Sequence, residues 1–192
     1  MKSIFSIIII ALLALATFNP KIKIYQIIKK HFSTLVNDRN KKISFLDYIT
    51  FVILPLIISV FSVVILKISI TDVNVLLTVF SIFAALLLNF LMLIIQAKDN
   101  IEKEMKELKE TDQKIETYKK LSQCISQTYY NVSYSILLSI ISILLLLLLD
   151  IFKITGIFSY ILNGSILFTS ISFFLCLFMI LKRIFILFNE KP

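Results

Sequence analysis

The sequence predicts an all-α integral membrane protein: a helical bundle of four strong transmembrane helices, with a short amino-terminal hydrophobic helix and a cytoplasmic helical hairpin. Three observations predict it. Of 192 residues, 58% are hydrophobic and 17% charged, against a soluble average of roughly half and a quarter. The excess is gathered into uninterrupted apolar runs, each near the roughly 20 residues that cross about 30 Å of hydrocarbon. The charge lies between those runs, so a net charge of +8 is better explained by membrane topology than by direct nucleic-acid binding.

The strong runs cover residues 49–66, 75–97, 129–149 and 157–181, and none contains Asp, Glu, Lys or Arg. The opening stretch, residues 4–18, extends about 22 Å as a helix, which is short for a span. It reads as a cleaved signal peptide, a first span or a helix embedded in one leaflet. Ala14, Leu15 and Ala16 resemble a processing site. Cleavage would, however, export the basic segment that follows, against the positive-inside rule.

That segment, residues 19–48, carries Lys21, Lys23, Lys29, Lys30, Arg39, Lys41 and Lys42 against Asp38 and Asp47. Its basic excess predicts a cytoplasmic location, with these side chains as contacts for anionic lipid or a partner. Asn19 and Pro20 form a helix start, an amide cap followed by a proline that needs no donor. Tyr25, Ile28, Phe32 and Leu35 recur at helical spacing, as in an interfacial helix. His31, the one histidine, has no companion ligands and reads as a surface residue.

Residues 98–127 hold seven basic and seven acidic residues. Ile101, Met105, Leu108, Ile115, Tyr118, Leu121 and Ile125 follow helical spacing, which predicts an antiparallel hairpin outside the bilayer turning near Glu110, Thr111 and Asp112. Lys182 and Arg183, directly after the last run, place the carboxyl terminus on the same, cytoplasmic side of a bacterial inner membrane.

In lipid, helices meet through close packing and a few polar contacts, so polar stripes mark candidate packing or pore-lining faces. Thr78, Ser81, Ala85, Asn89, Met92 and Gln96 form one such stripe, Asn131, Ser135, Ser139 and Ser142 a second, and Ser165, Thr169, Ser172 and Cys176 a third. Asn89 and Asn163 are the more informative, because an amide in hydrocarbon needs a partner. Pro55 interrupts the backbone ladder of its span and is a candidate hinge. The chain has two glycines and no metal-ligand, nucleophile-elbow or phosphate-loop pattern. Cys124 and Cys176 lack disulfide or metal spacing. No catalytic, cofactor or metal residue is expected.

At Leu54-Pro55-Leu56, and in the stretches SIFAALLLNFLMLI (81–94) and TYYNVSYSILLSI (128–140), the chain resembles small multi-spanning bacterial proteins. Some of these sit beside antiphage machinery, among them the membrane accessory proteins of type VI-B CRISPR loci and the four-span component of the Kiwa system. The resemblance covers about residues 45 to 150. It implies a membrane component that responds to a cytoplasmic nucleic-acid-sensing partner, by permeabilising or depolarising the inner membrane. The arginine-then-histidine ribonuclease motif of some accessory relatives has no counterpart, since no arginine precedes His31.

The expectation is therefore a non-enzymatic, homo-oligomeric membrane protein that engages lipids and a cytoplasmic protein partner, with pore formation as its sharper form. A regulatory anchor without permeation is the alternative, and a small transporter the third reading.

Overall fold

The computed structural model describes residues 23–37, 42–107, 114–152 and 156–189. The opening stretch 4–18, Lys21, Arg39, Lys41 and the turn expected at residues 110–112 lie outside them. Within them the chain runs α1 (Ile24–Ser33), β1 (Val36–Asn37), β2 (Lys42–Ile43), α2 (Phe45–Val64), α3 (Val73–Glu107), α4 (Lys114–Phe152) and α5 (Ile157–Asn189). The two short strands pair antiparallel, Val36 opposite Ile43 and Asn37 opposite Lys42.

Helices α2, α3, α4 and α5 are each long and apolar enough to cross a membrane. They overrun the apolar runs because helix does not stop where charge begins. With 35 and 39 residues, α3 and α4 extend about 52 and 58 Å, roughly 20 to 30 Å more than the hydrocarbon requires.

The helix start expected at Asn19 and Pro20 lies outside the described residues, and α1 is described from Ile24. Lys23 before it has φ 55°, ψ 22°, a left-handed conformation uncommon for a residue with a side chain. Its carbonyl accepts from Gln26 and Ile27 at 2.9 and 3.2 Å.

α2 begins after Ser44, with Asp47 in the first turn where the helix dipole favours a carboxylate. Pro55 has no N–H to offer the turn before it, and the helix there widens into a π-helical turn over Ile49–Ile53. Pro55 itself is buried. The sequence feature read as a hinge is a local change of helical pitch in a packed position.

α4 is the central element, packing against α1, α3 and α5, while α2 packs against α5. Half of the apolar stretch of α4 is buried, against 17% for α2 and for α3. α3 buries a narrow seam, Phe80, Leu87, Ile94 and Ile101, one residue in seven. That repeat is the left-handed packing pattern of two long helices. The seam continues beyond the apolar run: Met105, Tyr118, Leu121 and Ile125 join it, so the polar extensions of α3 and α4 pack on each other.

Phe173 of α5 is fully buried, its ring set edge-on to Phe80 and Phe83 at 5.5 Å each. Phe173→Ala should destabilise the bundle by about 2–3 kcal/mol, below the roughly 3–5 of soluble cores because the unfolded reference remains in lipid. Reversible denaturant unfolding in micelles measures it.

Candidate functional site

The polar side chains fall into three groups, separated by where the helix faces point.

The first lies where α1, the middle of α4 and the end of α5 meet. His31 is 2% exposed, which corrects the surface placement read from the sequence. Its Nδ1 lies 3.0 Å from Asn131 Oδ1, and its ring stacks on Tyr134 at 3.9 Å with planes 13° apart. The reason is positional. His31 shares an α1 face with Ile28, Phe32 and Leu35, and that face docks on α4 rather than on a membrane surface. The Thr34 hydroxyl also reaches Asn131 Oδ1, at 3.0 Å. One turn along the same face, Ser135 Oγ donates to the Asn131 carbonyl at 3.0 Å, and Cys176 Sγ of α5 donates to it at 3.5 Å.

Arg183 of α5 completes this cluster. It donates to Gln127 Oε1 and, through its other terminal nitrogen, to the Thr34 carbonyl at 3.2 Å. Lys30 lies over the Tyr130 ring at 5.5 Å. Lys23 and Lys29 are exposed. Burial pushes the His31 imidazole down to about 4, its largest influence, and the Arg183 charge acts the same way while the Asn131 bond opposes both.

The second group lies inside the bundle. Ser135, Ser139 and Ser142 of α4 and Thr169 and Ser172 of α5 are buried. Ser142 donates to Thr169 at 2.9 Å, linking the two helices, while Ser139 bonds the Ile136 carbonyl of its own helix. Asn163 is buried near the opposite end. It accepts from the Ile70 N–H at 3.1 Å and donates to the Ser159 carbonyl at 2.8 Å, so it secures the α2–α3 connection to α5.

The third group faces outward. Thr78, Ser81, Ala85, Asn89, Met92 and Gln96 are all exposed on α3. At 3.6 residues per turn they lie roughly opposite the buried seam. The three stripes are therefore unlike: two are used within the chain and one is presented to the surroundings.

Among the described residues no group of three His, Cys, Asp or Glu side chains is placed to hold a metal ion. Sequence reasoning singled out Asn131 but missed its partners His31 and Thr34, and the Arg183 contact to the Thr34 carbonyl beyond them. The signal available was the α1 periodicity, which puts His31 in register with apolar residues that must be covered. Comparison with protein-family models, curated proteins and solved structures finds no match for this chain.

Because His31 is held neutral in the fold and its unfolded value is near 6.5, the contribution of its burial is present above that pH. It is lost as pH falls from about 6.5 to about 4, in total about 3 kcal/mol. Hydrogen exchange, corrected for its intrinsic dependence on pH, should show α1 released on acidification. His31→Gln should flatten that pH dependence while Asn163→Leu leaves it intact.

Proposed function

We propose that the chain is a non-enzymatic membrane protein of the bacterial inner membrane that assembles into a homo-oligomer through the outward polar face of α3. The carrying observation is the exposure of Asn89, midway along a stretch that would otherwise face lipid. An amide in hydrocarbon is stabilised by a partner on another helix or by water. The inward faces of α4 and α5 leave α3 as the span with a polar stripe to offer.

Charge supports the orientation. Lys23, Lys29, Lys98, Lys119, Lys182 and Arg183 belong to segments that meet at one end of the bundle, while Lys67 lies in the connection at the other. The positive-inside rule assigns the basic end, with the carboxyl terminus, to the cytoplasm. The projecting parts of α3 and α4 then form a platform whose apolar seam is internal. Its outer faces carry ion pairs such as Lys98–Glu102 at 3.8 Å and Glu116–Lys120 at 2.9 Å, so a cytoplasmic protein partner would meet charge rather than an apolar groove.

In the setting implied by the resemblance to antiphage membrane components, the assembled α3 faces enclose a hydrated path that opens on a signal from that partner. A regulatory anchor is the second reading. It is supported by the Ser142–Thr169 contact, which shows how readily such stripes close by packing.

Native mass spectrometry in mild detergent should show an oligomer, and Asn89→Leu should weaken each contact by about threefold to tenfold without loss of folding. A strictly monomeric wild type would sink the proposal. Ion and dye leakage from liposomes separates the two readings. Protein-dependent leakage lost in Asn89→Leu marks a path, and sealed vesicles containing intact oligomers mark an anchor.

A further inference from the structure

At the basic end, the segment after α1 together with α2, α4 and α5 leaves a cavity of about 650 Å³. Its lining is polar in part, including Lys182, Arg183 and, from the π-helical turn of α2, Thr50. It is apolar in part, with Phe51, Phe178 and Met179. Phe178 is 66% exposed, so the cavity opens sideways at the level where the apolar run of α5 ends. Among the described residues Asp47 is the one acidic side chain in the lining, and Arg183 has no carboxylate within ion-pair distance.

The guanidinium therefore sits at a membrane boundary, half-buried, bonded to two neutral oxygens. Its Nε is buried with no acceptor. A cation withdrawn from water is stabilised chiefly by an opposite charge, and a guanidinium fork suits a phosphate. The remaining lining fixes which phosphate: a free ion has no use for the phenylalanines and the lateral opening, whereas a headgroup carrying acyl chains uses both.

We propose that this cavity binds an anionic phospholipid, its phosphate against Arg183 and Lys182 and an acyl chain along Phe178 and Met179. The lipid fills the gap between α2 and α5 at the cytoplasmic boundary and supplies a counter-charge that the described residues do not give Arg183. The site lies within one protomer and is independent of α3-mediated assembly.

The test uses the full chain in mild detergent, with bound lipid counted per protomer by native mass spectrometry. The probes are phosphatidylglycerol, phosphatidylcholine and inorganic phosphate. Phosphatidylglycerol should be retained in preference to phosphatidylcholine. Arg183→Gln and Lys182→Gln should each reduce its retention by about fivefold, the effect of one cation near an anionic surface. Lys106→Gln, at the tip of α3, should leave retention unchanged. Should Arg183→Gln fail to fold, Lys182→Gln carries the test, because its side chain is exposed. Equal retention of the two lipids, or unchanged retention in the folded variants, overturns the proposal. Displacement of phosphatidylglycerol by millimolar inorganic phosphate would assign the site to the free ion and overturn the lipid.

Discussion

The interaction on which the rest of the bundle depends is the set of polar contacts that α4 makes around Asn131. A helix surrounded by other helices has no water to turn to, and this one carries Thr128, Asn131, Ser135, Ser139 and Ser142, all buried. Hydroxyls can be answered by the carbonyl one turn back, as Thr128, Ser135 and Ser139 are. A carboxamide cannot satisfy itself so cheaply. The Asn131 Oδ1 consequently draws in α1 through His31 and Thr34, while its main-chain carbonyl takes the Cys176 thiol of α5 and its Nδ2 is left without a partner among the described residues. Arg183 then ties α5 to the end of α1. Helices in lipid gain little from apolar contact alone, so these few polar links specify the arrangement that the large interdigitating residues fill.

The spans were legible in the sequence because apolar length is a direct measure of bilayer crossing. The stripes were legible as periodicities, yet a periodicity says only that a face is distinct, not what it meets. The Thr78–Gln96 face and the Asn131–Ser142 face have the same spacing and similar side chains. They differ because α4 stands between three neighbours and α3 contributes one seam. Neighbour number is a property of the whole bundle and leaves no local trace. Boundaries drifted for a related reason: the seam of α3 and α4 carries helix past the point where lipid would require it.

His31 shows a different failure. A lone histidine in a basic segment looks solvated on charge grounds, while its position on the α1 wheel argues the reverse. Packing prevailed because the Asn131 oxygen and the Tyr134 ring supply a polar contact and a flat apolar one on the same side, which suits an imidazole. The widened turn of α2 is likewise the consequence of a single residue, Pro55, felt by the residues before it. It contributes Thr50 and Phe51 to the cavity beside Arg183, so a backbone irregularity becomes part of a recognition surface.

The order of contacts along the chain has a consequence for biogenesis. α3, α4 and α5 pack with their neighbours in sequence, but α2 rests against α5 where Gly164 faces Val63, close enough that a methyl group on the glycine would lie 3.9 Å from the valine. α2 leaves the ribosome first of these four, while its partner is the last to be made. Between those events the face bearing Ser59 and Val63 has no native neighbour, although Ser59 already answers the Pro55 carbonyl at 2.6 Å within its own helix. That local bond lets the helix enter the translocon with the Ser59 hydroxyl already met. The bundle can therefore wait, laterally open, until synthesis delivers the helix that closes it.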